Sequence, residues 1–289
     1  MNKINKVLLS IWILTILSTC INLLLIPLPA ILDRFMILNP DTPSVEKAQG
    51  YLSSLFNEDL GLLCENKEDA GLDQKYWIYS DNYLAVLAIW DCDETFRDQL
   101  NASFVHYQTK YNITTSYFEE CLMGSNIPNV VRTSEQTLLE NGSDYEIWVD
   151  RKTGNIMLDW EEYGDLLLYR ALYYYYMESD FGKAGEYYDK AYNMFDGKGI
   201  YDKDTDEKKN GTRYYVNYKL AFLIYVSIVL DENLDEIPPM ITQLWSMQNE
   251  TSGGIIARAY MDGTPAGSAN CETTAWTLIA CEIADGIEK

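Results

Sequence analysis

The chain is poor in histidine and in basic residues. His106 is the only histidine among 289 residues, and no two cysteines stand in a CxxC arrangement. A zinc site of the common Cys/His type lacks its ligands, so no metal and no other cofactor is expected. Lysine plus arginine number 22 against 44 aspartate plus glutamate, a net charge of −22. That balance excludes the clustered cations on which sequence-independent nucleic-acid binding depends, and no nucleic-acid partner is expected. What the chain has in quantity is apolar: 47 % hydrophobic and 13 % aromatic residues, enough to bury a core.

Charge is also missing locally. Val7 to Ile26, VLLSIWILTILSTCINLLLI, runs for twenty residues without a charged side chain, and Lys3 and Lys6 precede it. At helical rise that is about 30 Å, the thickness of a bilayer core. The positive-inside tendency then places the N-terminus in the cytoplasm and the rest of the chain outside the cell. Pro27 and Pro29 end the helix. Residues 1–38 are therefore read as a single-pass signal anchor at the cell membrane, with a cleaved signal peptide as the competing reading, and 39–289 as the exterior domain. Removing 1–38 takes away Lys3, Lys6 and Arg34 but only one acid, Asp33, so the acidity belongs to the exterior part.

Cysteines and sequons fit an exterior location. Disulfides are the expected use of cysteine there, with Cys92–Cys121 the preferred bridge and Cys64 paired to Cys271 or Cys281. Cys271 and Cys281 lie ten residues apart on one expected helix, about 15 Å along its axis, and cannot bridge each other. Asn-x-Ser/Thr sequons begin at Asn101, Asn112, Asn141, Asn210 and Asn249. These are the expected glycosylation sites.

Several segments read as helices that are apolar on nearly every side: Ser80 to Asp91, Tyr163 to Met177, Tyr214 to Leu230 and Glu272 to Ile283. Amphipathic helices are expected at Ser44 to Phe56, Phe181 to Phe195 and Asn233 to Met247. Such alternation suits inner helices covered by outer ones. From about 104 to 159 polar and apolar residues alternate, with turn signals at Asn141-Gly142 and Thr153-Gly154, which predicts a small antiparallel β insertion containing His106 on a surface strand. Another hairpin is expected from Gly253 to Gly267, turning at Asp262-Gly263.

Gln248 to Ala280, QNETSGGIIARAYMDGTPAGSANCETTAWTLIA, resembles the outer-helix, Gly-Gly loop, inner-helix unit of α/α-toroid proteins, which include six-hairpin glycosidases, polysaccharide lyases and terpenoid-cyclase toroids. YWIYSDNYLAVLAIW, from Tyr76, and NMFDGKGIYD, from Asn193, look like parts of exported, mostly archaeal proteins of this shape. The resemblance implies a mainly α fold: a partial α/α toroid of about four helical hairpins, carrying the β insertion and preceded by one transmembrane helix.

In such a toroid the inner helices aim their N-termini at one face, so carboxylates there are the candidates for chemistry. Asp81, Asp165 and Glu272 are the expected catalytic set, since glycoside hydrolysis needs a pair of carboxyl groups. Tyr76, Trp77, Tyr83, Trp160, Tyr163 and Trp276 are the expected sugar-stacking residues. The acidic run Asp202, Asp204, Asp206 and Glu207 lacks the glycine and glutamate of a calcium loop and reads as solvated. The expected function is binding of a glycan or a cell-surface protein, with a carboxylate-dependent glycoside hydrolase or polysaccharide lyase as the alternative.

Overall fold

Apolar spacing decides which segments coil. In the computed structural model, which describes residues 43–89, 94–113, 117–207 and 211–286, helix α1 spans Pro43–Ser54 and buries Ala48, Tyr51 and Leu52. Two short strands follow, β1 at Phe56–Asn57 and β2 at Leu62–Leu63, paired antiparallel. Strand β3, Lys75–Trp77, leads into a wide π-helical turn, Ile78–Tyr83, and the short helix α2, Leu84–Ala88. Helix α3, Glu94–Lys110, carries an acid in its first turn and a base in its last, both favourable to its dipole. A short helix α4, Tyr117–Met123, precedes the hairpin of β4, Arg132–Asn141, and β5, Glu146–Ile156.

The second half is built on α5, Gly164–Tyr173, α6, Phe181–Tyr192, and α8, Asn217–Leu230, which pack against one another. Helix α6 is one-sided: Ala184, Tyr188 and Ala191 are buried at spacings of four and three, and Asp180 caps its start by accepting from the Lys183 amide at 3.1 Å. Helix α8 has no polar side; Leu220 to Ser227 are all buried. At 14 residues it is about 21 Å long, a core helix rather than a membrane span. Between them lies α7, Lys203–Asp206, closed by a capping box from Asp202 and Thr205. Strand β6, Tyr214–Val216, pairs with β7, Ile256–Tyr260, which pairs with β8, Pro265–Ala269, all antiparallel. Helix α9, Ile237–Trp245, buries Ile237, Met240, Ile241 and Leu244 against α8, and α10 covers Cys271–Gly286. Each aliphatic side chain so buried contributes about 1.5–3 kcal/mol.

The expectation of a mainly α partial toroid is corrected by this architecture. Among the described residues about 51 % are helical and 20 % are strand, in three small sheets. Two of the expected inner helices are not simple helices, for physical reasons. The aromatic pair Tyr214-Tyr215 extends as β6 before α8 begins. The Ile78–Tyr83 segment widens because Asn82 satisfies strand backbone with its side chain: the Leu63 amide donates to Asn82 Oδ1 at 2.7 Å, and Nδ2 donates to the carbonyls of Leu63 and Trp77. The β insertion is also smaller than expected. Phe104 to Lys110, with exposed His106, is helical, and β5 runs straight through Thr153-Gly154. β5 also pairs in parallel with β3, which ties the hairpin to the turn at 78–83.

The membrane reading of 7–26 lies outside the described residues. Among the described residues no helix is long and apolar enough to cross a membrane. Cys92 also lies outside them, so the Cys92–Cys121 bridge is not described; Cys121, Cys64 and Cys271 are buried free thiols, and no disulfide occurs among the described residues. Asn101 and Asn112 are exposed, as is Asn141 at the end of β4, whereas Asn249 is half-buried in a turn and Asn210 is not described.

The Gly-Gly loop has a definite packing role. Gly253 adopts φ +82°, and a Cβ there would lie 2.5 Å from the Lys47 carbonyl; one on Gly254 would lie 2.6 Å from the Tyr51 ring. Both glycines let the loop press on α1, where Tyr51 OH donates to the Ala269 carbonyl at 2.9 Å.

Candidate acidic pocket

Three separate segments bring Asp81, Asp165 and Glu272 to the wall of one pocket of about 490 Å³. Asp81 comes from the π-helical turn, Asp165 from the first turn of α5, and Glu272 from the first turn of α10. One face of the β4–β5 hairpin completes the wall. The register sets Gln136 opposite Asp150 and Ser134 opposite Lys152, so residues two apart on each strand point the same way, into the pocket. Glu65, on the loop after β2, joins them. The volume is that of a small-molecule site, with aromatic walls and a few convergent polar groups.

Each carboxylate is held by a traceable device. Asn82 pins the turn that carries Asp81. Asn270 caps α10 by accepting from the Thr273 amide at 3.0 Å, and the Cys271 amide donates to the Glu65 carbonyl at 2.9 Å, which fixes Glu272 beside Glu65. Asp165 Oδ2 accepts from Tyr218 OH at 2.8 Å, and Asp165 Oδ1 lies 3.3 Å from Lys219 Nζ. Lys219, only 1 % exposed in the first turn of the apolar helix α8, also reaches Asp202 at 2.6 Å and Asp204 at 2.5 Å. Asp202 in turn accepts from the Gly164 amide at 3.0 Å, so the network locks the start of α5 to α7 and α8. The run Asp202 to Glu207 is therefore not simply a solvated loop, because Asp202 is buried in this network.

Acidic groups outnumber basic ones around the pocket. Its cations are already engaged: Lys152 pairs with buried Glu120, which also accepts from Tyr169 OH at 2.9 Å, and Arg132 Nη1 donates to the Gly154 carbonyl at 2.6 Å. Burial first, then the charges of Asp150, Glu65 and Asp165, raise Glu272 from its ordinary 4.5 to about 8, against a smaller opposing effect of Lys219. Burial, followed by Glu65 and Glu272, also holds Asp81 well above the usual carboxylate range. Asp81 is 2 % exposed and its Oδ2 has no hydrogen-bond partner. For Lys219, burial acts to lower the pKa, but the carboxylates of Asp165, Asp202 and Asp204 together outweigh it and hold the ammonium charged. Near neutral pH Glu272, raised to about 8, holds its proton and can donate it, and Asp81 is shifted in the same direction.

Of the expected aromatic residues, Trp77 and Tyr163 line this pocket. Trp77 donates its indole N–H to Glu65 at 2.9 Å and packs on Trp148, ring centroids 5.8 Å apart. The other four are elsewhere. Tyr76 is buried with its hydroxyl accepting from Asn57, Tyr83 packs on Tyr79 and Phe104, and Trp276 is buried against Phe222 and Tyr225. Trp160 stacks near Tyr187 over the Arg170 guanidinium, which also lies 4.4 Å from the Tyr173 ring centre. These four explain packing rather than binding.

Sequence reasoning missed Glu65, Asp150, Tyr218 and Lys219. For Asp150 the signal was present, since Asp150 and Lys152 share one face in the period-two alternation of β5. A lysine inside the apolar run of α8 was the other signal, because a buried ammonium requires carboxylate partners. Among the described residues, no group of three or more His, Cys, Asp or Glu side chains is arranged to hold a metal ion. Comparison of the chain with family models, with curated proteins and with solved structures finds no match.

Proposed function

We propose that the pocket binds a sugar chain and that the protein is a carboxylate-dependent glycoside hydrolase. The observation that carries this reading is the convergence of Asp81, Asp165 and Glu272 on one cavity in which Glu272 titrates near 8. In this reading Glu272, protonated at neutral pH, gives its proton to the glycosidic oxygen as the bond to the anomeric carbon breaks. Asp165, oriented by the Tyr218 hydroxyl and Lys219, supports the developing positive charge and serves as nucleophile or as base for water. The faces of Trp77 and Tyr163 supply stacking surfaces for sugar rings. The apolar N-terminal run and the exposed sequons support placing this pocket on the outer side of a cell membrane, where glycans are the accessible polymer.

The test is a panel of defined oligosaccharides incubated with the full-length protein, with new reducing ends measured and the product anomer read by NMR. Cleavage that disappears in Glu272→Gln, while the variant keeps its thermal transition, supports the reading. Cleavage unaffected by Glu272→Gln and by Asp165→Asn overturns it.

A further inference from the structure

Carbohydrate pockets do not in general need a surplus of acids, and this surplus calls for a reason. Glu65, Asp81, Asp150, Asp165 and Glu272 face one cavity; the two cations that share it, Lys152 and Arg132, are engaged with Glu120 and with the Gly154 carbonyl, and Lys219 beside the cavity pairs with Asp165 alone of the five acids. Asp81 is buried, with an oxygen that no protein group satisfies. A buried acceptor in that state costs stability unless a ligand donor reaches it. The acids are too dispersed for three of them to close on a single metal ion. Their spread suits a cation carried on a larger organic frame. The aromatic face of Trp77, on the same wall, is a favourable neighbour for an ammonium group.

Resting on the carbohydrate reading above, we infer that the ligand is an amino sugar chain, and that a primary ammonium group on one residue binds Asp81 Oδ2 with Glu65 nearby. Neutral and N-acetylated sugars lack the charge that this corner of the pocket selects. Binding converts the Asp81 acid into a carboxylate paired with the ammonium and releases one proton to solvent; the paired charges cancel, leaving Glu272 its proton. Burial and the neighbouring acids, which hold Asp81 above the ordinary range before binding, are consistent with this exchange. The charged groups facing Asp81 are Glu65 and Asp150 from the sheet side and Glu272 from α10, all of the same sign.

The experiment is calorimetric titration of the full-length protein at pH 5.5, where the amines of an amino sugar chain carry their charge, in two buffers of different ionisation enthalpy, with four probes: a β-1,4-linked glucosamine tetramer, its N-acetylated form, a glucose tetramer, and spermidine. The expected result is binding of the glucosamine tetramer at least about tenfold tighter than the other two tetramers, with proton release, and an advantage reduced to under about threefold in Asp81→Asn. The wild-type buffer comparison reads proton release independently of whether the variant folds. Equal affinity for all three tetramers overturns the ammonium assignment and leaves the carbohydrate reading standing. Binding of spermidine with no tetramer overturns the carbohydrate reading and this inference with it, as does binding of none of the four.

Discussion

Replacing Glu272 with glutamine changes one proton site and little else in shape, and its consequence for stability can be worked from the pocket. Folded Glu272 titrates near 8 against an ordinary 4.5. Between those values the folded state holds a proton that the unfolded state has lost, so stability falls as pH rises through that window. The full difference corresponds to about 5 kcal/mol, at about 1.4 kcal/mol per pH unit. Glu272 is half-buried and opens on the cavity, so solvent screening reduces this to about 2–3 kcal/mol. Glutamine carries no charge at any pH. Glu272→Gln should therefore match the wild type near pH 5 and exceed it by about 2–3 kcal/mol at pH 9, a rise in Tm of about 5–10 °C for a chain of this size. Asp81 contributes a slope of the same sign to both proteins. Thermal or urea unfolding of the pair from pH 5 to 9 gives the difference directly. A difference that is constant across that range would refute the assignment of the raised pKa to Glu272.

Other consequences are structural. Lys219→Met leaves Asp202 buried without its cation and should destabilise the fold by about 3–5 kcal/mol in urea unfolding, with a loss below about 1 kcal/mol contradicting the network described. Gly253→Ala puts a Cβ against the Lys47 carbonyl at positive φ and should cost about 1–3 kcal/mol by the same assay. Asn82→Ala removes a side chain that satisfies two carbonyls and an amide in the interior; a loss of about 2–4 kcal/mol is expected, together with weakened ligand binding because the turn holding Asp81 loses its anchor.

Helices α1, α5, α6, α8, α9 and α10 were legible from apolar spacing, and α6 and α9 follow the expected one-sided pattern, whereas α3 and α4 were not, the end of α3 and all of α4 falling in the stretch read as β. The hairpin at Asp262-Gly263 was legible from its turn residues. What spacing could not convey was the pairing of distant strands. Parallel pairing of β3 with β5, and antiparallel pairing of β6 with β7 across about forty residues, depend on tertiary fit rather than on any local signal, and these contacts turn an expected helical toroid into a mixed fold. The candidate carboxylates were named from their positions at helix starts. Asp81 sits in a π-helical turn instead, and it reaches the same pocket because Asn82 fixes that turn to β2. Aromatic residues were the least legible: Trp276 and Trp77 carry similar local signals, and only burial separates a core ring from a pocket wall.

The central claim is that Glu272 delivers a proton to a bound sugar. The rate of reducing-end formation from glucosamine tetramers at pH 6, wild type against Glu272→Gln, tests it most directly. The account predicts measurable turnover for the wild type and a loss of about 10²–10⁴-fold for the variant at unchanged or higher stability. Equal rates for the two proteins, or no cleavage of any glycan by the wild type, would contradict it.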